Sequence, residues 1–189
     1  LSSSAARTSV SNAIESYFTS SVGDFNEAFR RSNLLTEIDE LSPAILSSRM
    51  DVRMQQRFTP TTGALNSIVL RMPQSIAAAD DVNHIITSSG FIFGGENCRI
   101  RNRLDSNVLE VFSDTSASVV VDNVGNFDAT AGTINISGFR PTSITGGVSY
   151  LKIKAVPSNQ SAVVPNREEI LNQDTGESSV KAVITTATN

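Results

Sequence analysis

An α+β fold is predicted for this chain: short N-terminal helices followed by a mostly antiparallel β-sheet or sandwich region. Apolar residues recur at helical steps of three and four mainly before Pro43. From residue 44 onward they alternate with polar ones at a period of two, which only a strand sorts into two faces. Gly, Asn, Asp and Pro clusters part these later segments at short intervals, as hairpins require and crossover helices do not. The resulting division is a helical segment over 1–43 and a mostly β domain over 44–189, built as one compact unit or two closely packed subdomains.

Residues 1–6 are small and polar and read as a frayed end or linker. Val10, Ile14, Tyr17 and Phe18 form a helical stripe that stops by Gly23. In Asp24-Phe25-Asn26-Glu27 a capping residue sits three before a Glu, the layout that ties up the free amides of a helix start. With Phe25, Phe29, Leu34, Ile38 and Leu41 sharing helix faces, a second helix is expected over 24–41, joined to the first across "SSVGD". Met50, Val52, Met54, Gln56 and Phe58 alternate with Asp51, Arg53, Gln55 and Arg57 in a first strand. Ile68, Leu70 and Met72 alternate with Val69 and Arg71 in the next, up to Pro73. "MPQSIAAADDVNHI" reads equally as a short helix over 75–82 or as a loop.

Residues 85–93 read as a strand stopped by Gly94 and Gly95, and Ile100 and Leu104 oppose Arg99, Arg101 and Arg103. Four further strands are expected over 108–112, 118–122, 133–139 and 150–156. In the last, Leu151, Ile153 and Ala155 face one way and Tyr150, Lys152 and Lys154 the other. After Pro165, Asn166-Arg167-Glu168-Glu169 is a second cap pattern anchored by Ile170 and Leu171. A polar loop "NQDTGESS" and a closing strand over 180–184 complete the chain.

The chain's 189 residues, 39% hydrophobic and 18% charged, are those of an ordinary globular protein able to fold without staples. Fifteen basic against nineteen acidic residues leave a net charge of -4, which counts against a nucleic-acid partner. No run approaches the ~18 apolar residues of a membrane span, so no membrane partner is expected. "LSSSAARTSV" has neither the basic-then-apolar layout of a secretory signal nor an initiator Met, and the chain is expected to be a piece of a longer polypeptide. The single cysteine, Cys98, rules out an intramolecular disulfide and a multi-cysteine metal site and fits a reducing compartment.

Each constellation that could carry chemistry falls short on geometry or partners, so neither catalytic residues, metal ligands nor a cofactor is expected. Asp174-Thr175-Gly176 copies the aspartic protease triplet, but polar residues flank it and no second triplet supplies the other carboxylate. Ser149-Tyr150-Leu151-Lys152 and Ser178-Ser179-Val180-Lys181 match Ser-x-x-Lys, a pairing that needs a helical turn. In a strand the odd separation of Ser149 and Lys152 puts them on opposite faces. His84 is the only histidine; a triad with Asp80 or Asp81 lacks a Gly-x-Ser-x-Gly elbow. "DNVGNFDATAG", with Asp122, Asn123, Asn126 and Asp128, is oxygen-rich like a calcium loop, yet lacks the alternating carboxylates and terminal Glu of an EF-hand. A hairpin turn with Gly125 at positive φ accounts for it better. Asn135-Ile136-Ser137 and Asn159-Gln160-Ser161 are glycosylation sequons by letter only.

The arginines are the main surface feature. Arg30 and Arg31 fall in the predicted second helix, Arg49, Arg53 and Arg57 in the first strand, and Arg99, Arg101 and Arg103 in a later one. Steps of two or four along a strand make a row on one face. Such a row is either a solvated sheet face that stabilises little or a set of planar donors for acidic groups on a neighbouring subunit. Arg53, Arg57, Arg101 and Arg103 are the candidate interface residues on the second reading. Phosphate binding would want interleaved aromatics, and the chain has no Trp and two Tyr.

The wording "FNEAFRRSNLLTEIDELSPAILSSRMDVRMQQRFTPT" resembles the C-terminal part of the baseplate wedge proteins of T-even-like contractile-tailed phages, in the broad baseplate J-like family. The likeness is strongest over 12–62 and recurs at "VGNFDATAGTINISGFRP", where Gly132, Thr133, Ile134 and Pro141 occupy a family pattern, and at "YLKIKAVPSNQSAVVPNREEIL". The resemblance implies a structural subunit of the virion's tail baseplate, assembled in the host cytoplasm, without an active site. It implies self-association as a dimer that joins wedges into a ring around the hub, contact with other wedge subunits, and rearrangement when the sheath contracts. The rival readings are a phage or bacterial hydrolase acting on cell wall or carbohydrate, which needs paired carboxylates in a cleft, and a carbohydrate-binding β-module.

Overall fold

The structure, a computed structural model describing residues 2–165, 169–177 and 180–182, bears out the α+β class. In chain order it has helix α1 (Ser3–Ser20), strand β1 (Phe29–Arg30), helix α2 (Arg31–Glu40), then strands β2 (Met54–Phe58), β3 (Asn66–Arg71), β4 (Ile86–Ser88), β5 (Phe91–Phe93) and β6 (Glu96–Asn102). Strands β7 (Val108–Ser113), β8 (Ser118–Asp128), β9 (Thr133–Phe139), β10 (Ser143–Ile144), β11 (Leu151–Ala155) and β12 (Ala162–Val163) follow. The chain forms two units, one of Leu1–Asp51 with Ser161–Asn189, the other of Val52–Gln160. The cap pattern at Asn166 to Glu168 and the far end of the strand expected over 180–184 lie outside the described residues, as do Ser178 and Ser179 of the second Ser-x-x-Lys match.

In the first unit, α1 starts at Ser2, whose hydroxyl accepts from the Ala5 amide at 3.2 Å. The core gathers Tyr17, Val22, Phe29, Leu34, Ile38 and Val163. Phe18 stacks on Phe29 at 5.6 Å, and Tyr17 meets Phe29 edge-on at 6.1 Å. The second helix does not begin at Asp24. Glu27 does reach back to the Asp24 amide at 3.2 Å, as in a capping box, but Asn26 adopts φ 65° and the segment closes as a turn. Phe29 and Arg30 then pair with Val163 and Ala162, so a strand partner far along the chain overrides the local helical pattern. The Arg31 amide extends that pairing to the Ser161 carbonyl at 2.9 Å, and α2 starts there.

The buried Tyr17 hydroxyl donates to the Arg30 carbonyl at 3.2 Å and accepts from the Arg30 amide at 3.4 Å, tying α1 to β1. Tyr17→Phe should therefore cost about 1–2 kcal/mol by stranding both backbone groups. Urea unfolding followed by far-ultraviolet circular dichroism measures it, and an unchanged midpoint would mean that water replaces the hydroxyl.

The second unit is one antiparallel sheet in the order β2-β11-β4-β6-β7-β8-β9-β3, with β5 pairing β6 and β10. Its two end strands meet: Gln56 Nε2 on β2 donates to the Arg71 carbonyl on β3 at 3.3 Å, so the sheet is a nearly closed barrel. Phe139 sits at the centre of the core, with Phe91 edge-on at 4.8 Å and Phe58 at 6.3 Å. Ile86, Ile100, Leu109, Ile134, Ile136, Leu151 and Ile153 are fully buried around it. In β11 the predicted alternation holds, Leu151, Ile153 and Ala155 being inside and Lys152 and Lys154 outside. In β9 simple alternation would send Gly138 inward. Instead Ile68 pairs with Ile136 while Asn66 pairs with Phe139, an inserted residue that Gly138 accommodates at φ 69°.

Regular strand begins at Met54, not Met50, because the β11 partner ladder ends at Ala155 paired with Met54 and Pro157 has no amide to extend it. Residues 85–93 form two strands, since β4 pairs with β11 whereas β5 turns to β10. The undecided stretch after Met72 is a loop, held by a bridge between Ile76 and Pro157. Leu104 lies beyond β6 and is exposed; the inward place it was expected to share goes to Asn102. Strand β8 runs on to Asp128, so Gly125 sits within a strand rather than in a hairpin turn. It pairs with Leu109 and Ile136 at φ 137°, and the space a Cβ would need holds the Asn135 carbonyl.

Candidate functional site

The arginine row of β6 faces outward while Cys98, Ile100 and Asn102 face the core. Antiparallel register sets Arg101 opposite Glu110 and Arg99 opposite Phe112 on β7. Arg101 Nε lies 2.9 Å from Glu110 Oε1, and its guanidinium lies 3.6 Å from the centroid of the Phe112 ring. Arg103 approaches Glu110 Oε2 at 3.6 Å and donates to the Asp122 carbonyl at 3.0 Å. Arg99 grips both oxygens of Asp114, at 2.7 and 3.0 Å. Glu110, only 4% exposed, is thus neutralised from two sides within its own chain.

The other arginines stand apart from that ladder. Arg57, on β2, places its guanidinium 4.9 Å from the Tyr150 ring centroid. Arg53 is exposed in the irregular stretch just before β2. Arg30 belongs to β1 rather than to a helix, and Arg31 opens α2 with a side chain reaching the Met50 carbonyl at 3.5 Å. The structure therefore joins Arg101 and Arg103 through a shared carboxylate.

Among the described residues, His84, Asp80 and Asp174 take backbone partners. His84 Nδ1 donates to the Asn102 carbonyl at 2.6 Å. Asp80 spends one carboxylate oxygen on the Val82 and Asn83 amides. Backbone donation, first from Asn83 and then from Val82, holds the Asp80 carboxyl below its ordinary range. Asp174 accepts from the Gly176 amide at 3.1 Å in a turn. Asp122, Asn123, Asn126 and Asp128 spread along extended β8, which rises about 3.3 Å per residue, instead of converging. Asn126 and Asp128 line a shallow polar groove with Asn107, Thr130, Thr133 and Asn135. Among the described residues no three His, Cys, Asp or Glu side chains cluster as a metal site, and no helix is long and apolar enough to cross a membrane. Burial pushes the Cys98 thiol up, away from a reactive thiolate.

Two polar residues that sequence reasoning passed over organise this face. Asn102, fully buried, accepts from the Ile86 amide at 2.9 Å and donates to the Arg103 carbonyl at 2.8 Å. Glu110 anchors the arginines. A signal for Glu110 existed: in "VLEVF" it is a lone charge among apolar residues, and a tight turn over 103–107 would set it opposite Arg101.

No curated protein sequence matches the chain. Residues 1–57 match the family described as baseplate structural protein gp6, C-terminal domain III. That segment spans the helices of the first unit and β2 up to Arg57, and it leaves the later wording "VGNFDATAGTINISGFRP" outside. The match supports a structural role in a phage baseplate, without reaching the baseplate J-like family, and places the chain in the tail baseplate of the virion.

Proposed function

We propose that the chain is a non-enzymatic wedge subunit of the baseplate J-like kind, whose self-association joins wedges into a ring around the hub. On this reading it also touches other wedge subunits and takes part in the rearrangement on sheath contraction. The observation that carries it is the match of residues 1–57 to a baseplate structural family. The outward arginines, Arg53, Arg57, Arg101 and Arg103, are the proposed charged contribution to the contact, as Arg suits planar pairing with carboxylates. In support of the non-enzymatic reading, His84 hydrogen-bonds the Asn102 carbonyl and Asp174 accepts from the Gly176 amide.

The chain should sediment as a dimer at micromolar concentration. Arg53→Glu is the reversal to read first, since Arg101 and Arg103 also neutralise Glu110 inside the chain. If Arg53 lies in a desolvated contact, its reversal should weaken the dimer roughly ten-fold or more. Electron microscopy of assembled baseplates carrying a labelled chain should put the label in the ring. A chain that stays monomeric at high concentration argues against self-association.

A further inference from the structure

At one end of the barrel two loops, 79–84 and 103–107, are locked together. The Asp105 amide donates to the Asp80 carbonyl at 2.7 Å, the Asp80 carboxylate caps the Val82 and Asn83 amides, and His84 is tied to the Asn102 carbonyl. Asn102, buried beneath, bonds the Ile86 amide at the start of β4 and the Arg103 carbonyl of the second loop. This braced tip presents two large apolar side chains to solvent, Val82 at 75% exposure and Leu104 at 42%. A rigid apolar pair loses little conformational freedom on being covered, which is what a contact centre needs.

The charges around the pair change sign across it. Arg101 and Arg103 lead into Leu104 from the β6 side, whereas Asp105, Asp80 and Asp81 lie beyond it. A patch ordered positive, apolar, negative is complementary to a copy of itself turned by a two-fold axis: Arg103 of each copy meets the aspartates of the other, and the apolar pairs meet at the centre. We infer that this tip, centred on Val82 and Leu104, is the two-fold contact between two copies of the chain. The inference rests on the self-association reading above and names its site. A partner of other composition would have to supply both signs in the same order, which a second copy does by symmetry.

The test is sedimentation equilibrium of the whole chain with Val82→Asp, Leu104→Asp and, at the opposite end of the barrel, the 74% exposed Leu65→Asp. The two tip variants should each raise the dimer dissociation constant about ten-fold or more, with unfolding temperature unchanged, while Leu65→Asp leaves it alone. Val82→Ser, which adds no charge, should weaken the dimer in the same direction and serves if an aspartate disturbs the fold. A dimer insensitive to the tip variants, or equally sensitive to Leu65→Asp, overturns the tip and leaves self-association standing through another surface. A wild-type chain monomeric throughout overturns both.

Discussion

Arg101→Glu should destabilise the barrel unit by about 3–5 kcal/mol, the cost of breaking a buried ion pair. Glu110 is 4% exposed and depends on Arg101 at 2.9 Å and Arg103 at 3.6 Å. The reversal would remove the closer cation, set a second carboxylate beside the first, and lift the guanidinium off Phe112. Urea unfolding measures the loss. The mechanism also predicts rescue: Arg101→Met combined with Glu110→Leu should lie much closer to wild type than Arg101→Glu, because apolar residues of similar volume often replace a buried pair at little cost. A change below about 0.5 kcal/mol for Arg101→Glu would show that water solvates Glu110. The same result bears on the assembly variants, since loss of a dimer in Arg101→Glu counts as interface evidence only if the unit remains folded.

Gly125→Ala should be comparably severe, at about 3 kcal/mol or more, or should abolish folding of the unit. Two effects act together. The backbone at Gly125 adopts φ 137°, which L side chains rarely accept, and a Cβ there would run into the Asn135 carbonyl and the Ile136 Cα of the paired strand. Neither atom belongs to a flexible side chain, so the β8–β9 ladder itself must shift. Thermal unfolding by circular dichroism reads the effect. Gly63→Ala, at φ 75° but with open space where the Cβ would go, should cost less, which separates the clash from the strain. Equal losses at the two positions would remove the clash from the explanation.

The residues that announced their structure in advance are those whose signal is local. Leu151, Ile153 and Ala155 alternate with Lys152 and Lys154, and one buried face is enough to sort them. The bounds of β9 came out as expected from Thr133 to Phe139 for the same reason, although the Gly138 bulge that brings Phe139 to the core did not. The arginine row was legible as a row, because β6 spacing is a property of the strand. Its neutralisation was only partly so: the lone charge of Glu110 in "VLEVF" hinted at a partner, but that Arg101 lies opposite it and that Asp114, just past β7, meets Arg99 depend on the β6–β7 register.

By itself, then, the sequence determined the fold class, the confinement of the long helices to the stretch before Pro43 and the inward and outward faces of single strands such as β11. These follow from periodicities within a few residues. Only the tertiary structure decided that Phe29 and Arg30 pair with Val163 and Ala162 instead of opening a helix, that Gly125 lies inside a strand, and that the sheet's ends meet at Gln56 and Arg71. It also decided that Val82 and Leu104 share one braced tip. Each of these depends on hydrogen bonds between segments separated in the chain. A hydrogen-bonded partner of that kind outweighs the few tenths of a kcal/mol by which local propensity favours one conformation over another.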